Sequence, residues 1–466
     1  MTRPGTPARP LRVAIIGAGP TGYYVAEHLF RLPGLVVEVD MFDRLPTPYG
    51  LVRAGVAPDH QKIKSVTAAF DKIAATVGFR FFGGVELGKD LSAEDLRRHY
   101  HQIVYATGAQ TDRRMGIPGE DLLGSHPATE FVAWYNGHPD YRDCQFDLSC
   151  ERAAVVGVGN VAVDVARILC RSTAELATTD IADYALEALA QSRIKEVVLL
   201  GRRGPAQAAF TNPEIRELGE LADADIQTRT EEVELDELSR AALERGADRA
   251  AQRKVEILAS YARRPASGKS RRLVVRFLVS PVELRGDTTG RLTSMRLVRN
   301  RLVATDTGAL QPKPTDGFEE LPVGLVFRSV GYRGVPLPGV PFHDAWAVIL
   351  NERGRVLDPD TRTPLTGEYT AGWIKRGPTG VIGTNKPDAG ETVACMAEDV
   401  AAGLTLSPPD SAADAAERLV RLRQPKFISY PDWLRLDELE VDRGRAAGRP
   451  RVKLTRVDEM LEALGR

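Results

Sequence analysis

Two glycine-rich runs of one type, Gly17-Ala18-Gly19-Pro20-Thr21-Gly22 and Gly157-Val158-Gly159-Asn160-Val161-Ala162, constrain what this chain can fold into more than any other feature. Each follows a short apolar run, 11–16 and 153–156, and leads into a stretch with helical periodicity, so each reads as strand, tight turn, helix. In such a unit the glycines let backbone approach a pyrophosphate, whose charge meets the amides and positive end of the following helix. One such motif is weak evidence. Two in matched surroundings imply an α/β chain with two dinucleotide-binding, Rossmann-like domains.

The residue that ends the second strand of each unit meets the ribose 2′ position and tells the two sites apart. In the first unit, 36–43 alternates like a strand and closes on Asp43. A carboxylate there accepts from ribose hydroxyls and repels a 2′-phosphate, so FAD or NAD fits. In the second unit the strand 196–200 runs into Gly201-Arg202-Arg203, and two guanidinium groups suit a 2′-phosphate through charge-assisted bonds. The first site therefore reads as FAD and the second as NADPH. The polar stretch 171–192 is expected to lengthen the crossover helix of the second unit.

At 466 residues the chain exceeds what one core usually supports, so two to three domains are expected. No apolar run approaches the roughly 20 residues that span a bilayer. Residues 1–10 carry prolines and basic groups without an apolar core, which predicts a disordered lead-in and no secretory signal. The four cysteines, Cys144, Cys150, Cys170 and Cys395, contain no C-x-x-C pair. That excludes a redox-active cysteine pair beside the flavin and a built-in iron–sulfur centre, which takes four sulfur ligands. Reduced thiols and a cytoplasmic location are expected. Electrons leaving the flavin must go to something outside this chain.

The order of strands predicts a nested layout. A buried strand within 101–109 and another within 325–331 read as exit and re-entry points around the second fingerprint. This divides the chain into a lead-in (1–10), a first FAD-binding part (11–118), an inserted NADP-binding domain (119–328), and a second FAD-binding part with a C-terminal tail (329–466). After re-entry, 368–373 reads as a strand end. The glycine-rich turn 377–383 then opens a helix over about 388–403, where amides can face the flavin pyrimidine.

Three stretches carry a specific resemblance: Leu45-Pro46-Thr47-Pro48-Tyr49-Gly50-Leu51-Val52-Arg53-Ala54-Gly55-Val56-Ala57-Pro58-Asp59-His60, Gly201-Arg202-Arg203-Gly204-Pro205, and Gly372-Trp373-Ile374-Lys375-Arg376-Gly377-Pro378-Thr379-Gly380. Together with a tail that includes Ser429-Tyr430-Pro431-Asp432-Trp433 and Arg451-Val452-Lys453-Leu454, the chain resembles the adrenodoxin reductase family of ferredoxin–NADP reductases over nearly its whole length. The resemblance implies a glutathione-reductase-like arrangement with FAD in the outer domain and NADPH in the inserted one. It implies FAD contacts at Gly17, Gly19, Thr21, Gly22, Asp43, Leu51, Val85, Trp373, Gly380, Val381 and Ile382. It implies NADPH contacts at Arg113, Gly157, Gly159, Asn160, Val161, Arg202, Arg203, Glu214 and Gly380. Trp373 stands where many two-dinucleotide flavoproteins carry an aspartate, a departure the family shares. His60 and Glu214 match a histidine and a glutamate that the family places near the reacting rings, and are expected to tune nicotinamide placement rather than act as an acid/base pair.

The implied activity is hydride transfer from NADPH to FAD, then single-electron transfer to a small iron–sulfur ferredoxin, with no nucleophile or metal demanded. Between 240 and 272 ten basic residues stand against three acidic ones, a face suited to an acidic ferredoxin, while nucleic acid is disfavoured for want of a binding motif. A flavin-dependent monooxygenase or NADPH oxidase, and a non-catalytic redox sensor, are the alternatives. No F-x-G-x-x-x-H segment of the monooxygenase kind lies between the fingerprints.

Overall fold

The computed structural model describes residues 4–246 and 248–466. Two sheets organise it, the second parallel throughout and the first parallel except for an antiparallel edge of three strands, 351–370. The first has seven strands in the order Asn351–Glu352, Arg355–Leu357, Pro364–Thr370, Gln102–Tyr105, Leu11–Ile16, Val37–Asp43, Phe79–Gly83. The second has six: Ser125–Pro127, Leu325–Arg328, Arg152–Val156, Glu196–Leu200, Arg271–Arg276, Ala224–Thr228. The first sheet thus takes strands only from the two ends of the chain and the second only from its middle. The chain crosses between them twice, and the crossings Thr111–Asp112 and Tyr332–Arg333 pair antiparallel as a short ribbon. The strand expected within 325–331 belongs to the second sheet; Tyr332–Arg333 makes the return crossing.

The apolar runs flanking the fingerprints are central strands because they are covered on both faces. All six residues of Leu11–Ile16 are buried. Leu11, Val13 and Ile15 face a core with Tyr23, Val25 and Phe70, while Ala14 and Ile16 face the opposite core with Phe42 and Tyr105. In the second sheet Ala153 and Val155 face the helices, and Ala154 and Val156 face Leu284, Met295 and Leu297 of a three-stranded antiparallel sheet.

Three expectations change. Residues 1–3 of the lead-in lie outside the described residues, and 4–10 do not run free: Gly5 and Thr6 N–H both donate to Arg9 O, and Val36 N–H donates to Gly5 O at 2.8 Å. A local turn and one backbone bond to the residue before the second strand supply partners that composition does not reveal. The crossover helix Asn160–Cys170 is not lengthened, because Arg171 leaves helical geometry at ψ 149° and Ser172 starts a new capping box. The stretch 171–192 contains two short helices instead, Thr173–Leu176 and Asp183–Ala190. The helix that follows the glycine-rich turn spans Asn385–Ala402 and starts three residues earlier than expected, since Pro387 fits a first turn.

The C-terminal tail ties the two halves. Lys64 Nζ lies 2.7 Å from Asp180, and Lys453 Nζ lies 3.2 Å from Asp180 and donates to Asn136 O at 3.0 Å. All four residues are buried. Burial pushes both lysines below the ordinary lysine value. The two ammonium groups outweigh burial at Asp180 and hold it down to about 2.

Candidate functional site

The helix Pro20–Phe30 has no side-chain cap and no acidic residue in its first turn, so its leading amides are open to an anion. Gly17 has φ +111°, and a Cβ there would lie 2.5 Å from Ala106 O; a Cβ on Gly22 would fall on Gly17 O. These two glycines answer to the protein's own packing. At Gly19 a Cβ would meet nothing within 4 Å, which leaves the space beside those amides for a ligand. Asp43 is held by its neighbours: Oδ2 accepts from Ala18 N–H at 2.7 Å and Oδ1 from Leu45 N–H at 2.9 Å. Burial raises its pKa against the lowering effect of those two bonds.

These residues open on a cavity of about 660 Å³, which Gly17, Gly19, Thr21, Asp43, Leu51, Val85, Trp373 and Ile382 help to line. Gly22 is not on its wall. Leu51 is 38% exposed, an apolar surface a flat ring system would cover. Arg44, His138 and Tyr141 also line it, and Arg44 reaches Asp140 at 2.6 Å. Sequence reasoning missed these; 138–141 follows no motif and arrives from the second sheet's side.

The second cradle repeats the plan. The helix Asn160–Cys170 also lacks a side-chain cap and a first-turn acid. Gly157 has φ +132°, a Cβ there would fall on Ser329 O, and at Gly159 a Cβ would meet nothing within 4 Å. The cavity is about 850 Å³ and includes Arg113, Gly157, Gly159, Asn160, Val161, Arg202, Arg203, Gly380 and Val381. Asn160 Oδ1 accepts from Thr211 N–H at 3.0 Å, which fixes the cavity floor. Among the described residues, no carboxylate pairs with Arg113, Arg202 or Arg203. Burial and the neighbouring Arg202 both lower the Arg203 pKa, the signature of two cations held together without an anion.

Gly380, expected at both nucleotides, and Val381, expected at the flavin, line this second cavity; Gly380 turns the chain at φ +80°, and of the turn 380–382 only Ile382 reaches the first. The two cavities share Thr129, Tyr332 and Trp373 as a common wall. The rings of Tyr332 and Trp373 lie 5.5 Å apart, and Trp373 Nε1 donates to Thr379 O at 3.1 Å. Thr129 and Tyr332 carried no sequence signal, because a shared wall exists only once the two sheets are placed together.

His60 and Glu214 are brought together, 3.8 Å apart, yet neither is on either cavity's wall. Asp164 stands one helical turn beyond Val161, and Glu214 one turn beyond Thr211. His60 Nε2 shares a hydrogen bond with Glu217 Oε2 at 3.0 Å. Behind them the fully buried Arg167 donates to Asp59 at 2.7 and 3.0 Å, to Asp164 at 2.7 Å and to Glu214 at 3.3 Å. Burial raises Asp59 but is outweighed by Arg167 and Arg171, which hold it down to about 2. At Glu214 burial and then Asp164 win, and its pKa rises.

The basic run 240–272 is largely tied down. Lys254 holds Ala208 O, Arg264 donates to Gly219 O at 2.6 Å, Lys269 to Leu221 O at 2.6 Å and Arg271 to Arg171 O at 3.0 Å; Arg272 pairs with Glu196. Arg245, Arg249 and Arg263 remain exposed without a carboxylate among the described residues. All four cysteines are free, and burial pushes Cys170 up to about 12. No helix among the described residues is long and apolar enough to cross a membrane.

Comparison with known proteins agrees with this geometry. Residues 11–233 match the pyridine nucleotide-disulphide oxidoreductase family. The chain is 45% identical to NADPH-ferredoxin reductase FprA of Mycobacterium tuberculosis, covering 97% of this chain and 99% of that one. It is 40% identical to the human mitochondrial NADPH:adrenodoxin oxidoreductase, covering 97% and 92%. The solved structure of M. tuberculosis FprA in complex with NADPH superposes with a TM-score of 0.92 at 45% identity, covering 98% of this chain and all of that one.

Proposed function

This chain belongs to the adrenodoxin reductase-like family of ferredoxin–NADP(+) reductases, and we propose that its two cavities hold FAD and NADPH, with their reactive rings meeting at the wall formed by Thr129, Tyr332 and Trp373. It is an FAD-dependent oxidoreductase that takes electrons from NADPH. That shared wall is the observation that carries the reading, because hydride transfer needs the two nucleotides to meet end to end. The residues present fit both groups: each cradle leaves open space at its middle glycine, beside uncapped amides.

FAD, when bound, accepts a hydride and gives up its electrons one at a time, which a one-electron iron–sulfur acceptor requires. Gly19, Thr21 and the first-turn amides hold its pyrophosphate, Asp43 its ribose, and Leu51, Val85, Ile382 and Trp373 its apolar surfaces. Gly159, Asn160 and Val161 hold the NADPH pyrophosphate. Arg202 and Arg203 clasp the 2′-phosphate through charge-assisted bonds, with Arg113 adding charge from across the cavity. His60 and Glu214 act as positioning residues: fixed to Asp164 and Arg167 one turn behind the wall, they hold the helix that carries Val161 and the helix that Thr211 precedes. Gly17 and Gly22 act through packing.

The domain division follows the sheets, with 11–118 and 329–466 forming the FAD-binding part around the inserted 119–328. The acceptor is a small iron–sulfur ferredoxin, for which Arg245, Arg249 and Arg263 offer exposed positive charge. The unpaired cysteines support a reducing, cytoplasmic setting. The test is anaerobic: catalytic amounts of the FAD-loaded protein are mixed with NADPH and a [2Fe–2S] ferredoxin while cluster absorbance is followed. Cluster bleaching at many turnovers per flavin is expected. Flavin bleaching with the cluster left oxidised would give the electrons to another acceptor.

A further inference from the structure

The cluster at His60 holds more negative charge than its arginines match. Asp59, Asp164, Glu214 and Glu217 surround the ring against Arg167 and Arg171, and Arg171 also serves Glu175. The carboxylates outnumber the guanidinium groups, an excess that a divalent ion would offset. The donor atoms are close to the spacing such an ion needs. His60 Nε2 lies 3.0 Å from Glu217 Oε2 and 3.8 Å from Glu214 Oε2, and one ligand atom from each of the three lies within 4.8 Å of the others. Tetrahedral bonds of about 2.0–2.1 Å put ligand atoms about 3.3 Å apart, so small side-chain rotations close the set.

The other nitrogen of the same ring, Nδ1, faces Asp164 Oδ1 at 3.9 Å. A carboxylate in that place orients a metal-bound imidazole and fixes its tautomer. The His60 and Glu214 side chains are each 12% exposed, whereas Glu217 is 46% exposed, so the ion has an open side for entry and for a bound water.

We propose that His60, Glu214 and Glu217 form a site for one zinc-class divalent ion, and that filling it slows hydride delivery. One imidazole with two carboxylates suits Zn²⁺ and disfavours Mg²⁺ and Ca²⁺, which take six or more oxygens. The ion draws Glu214 and Glu217 toward His60 and with them the helix Asn212–Leu218, whose preceding residue Thr211 is part of the second cavity's wall. The slowing rests on the assignment of that cavity to NADPH; the binding does not.

The test titrates Zn²⁺ into the FAD-loaded protein against a chromophoric zinc chelator, using the wild type, Glu217→Gln and His60→Gln, with the visible flavin spectrum as the check on folding. One ion per chain is expected in the wild type, unmoved by excess Mg²⁺, with affinity at least tenfold weaker in both variants. Zinc should slow NADPH-driven flavin bleaching in the wild type and EDTA should restore it, while Glu217→Gln keeps its own zinc-free rate. No stoichiometric binding, or equal binding by both variants, would overturn the site. Binding that the variants lose but that leaves bleaching untouched would overturn the slowing. A wild type that NADPH cannot bleach even without zinc would strike the NADPH assignment instead.

Discussion

At the first cradle Asp43 is half-buried and already hydrogen bonded by Ala18 and Leu45, while at the second Arg202 and Arg203 stand together with no carboxylate paired to them among the described residues. The strand, turn and helix around them are the same, down to an open space at the middle glycine. The difference separates a resident ligand from an exchanged one. A group that stays bound is served by a pocket whose charge is settled in advance. A ligand that comes and goes is drawn in by cations that lack a partner until it arrives.

The sharpest way to break that comparison is to fill the two open spaces in turn. Because a Cβ at Gly19 or Gly159 meets nothing in the protein, Gly19→Val and Gly159→Val should both fold. Purified Gly19→Val is expected to carry no flavin, seen as a colourless protein. Gly159→Val should stay fully yellow while its KM for NADPH rises by more than a hundredfold. If both lose flavin, the cradles are not independent.

Next in size is the loss of the unmatched cations. Two charge-assisted bonds at about 1.5–3 kcal/mol each predict that Arg202→Ala with Arg203→Ala lowers kcat/KM for NADPH at least a hundredfold. Steady-state kinetics with NADH should change far less.

Asp180 tests whether the two regions act as one body. Asp180→Asn leaves Lys64 and Lys453 buried without their shared anion, and should cost about 3–5 kcal/mol in denaturant unfolding. A carboxylate held at about 2 in the fold adds stability that is complete above its ordinary value near 4 and disappears as pH falls from there toward about 2. Because Asp59 is held down in the same range, the variant should still lose stability in acid, but by less than the wild type, the difference being the share of Asp180.

The smallest effect is expected at Asp43. Asparagine keeps one acceptor but sets an N–H₂ against a backbone N–H, an unpaired donor worth about 1–3 kcal/mol. FAD dissociation, followed by recovery of free-flavin fluorescence, should tighten or weaken by no more than that allows, with about tenfold weaker binding as the expected result.

What was legible in the sequence was whatever depends on neighbours along the chain. The two fingerprints, the strands before them, Asp43 and the two arginines are local patterns with local causes. Other outcomes depended on neighbours in space: Val36 N–H found Gly5 O of the lead-in, and Val381 lines the second cavity and not the first. The capping box of Ser172 with Glu175 was by contrast a local signal, and the expected helix lengthening overlooked it. Thr129 and Tyr332 became a shared wall only when the two sheets met. The basic run at 240–272 shows the same limit: its charges could be counted, but not the carbonyls and carboxylates that most of them hold.

The most direct test of the account is anaerobic rapid mixing of the FAD-loaded wild type and the Arg202→Ala, Arg203→Ala double variant with NADPH and with NADH, following flavin absorbance. The account expects fast bleaching of the wild type by NADPH alone, and a variant whose rates with the two donors draw together while its flavin content is unchanged. A variant that keeps the wild-type preference would contradict it, because the choice between donors would then lie somewhere other than the second cradle.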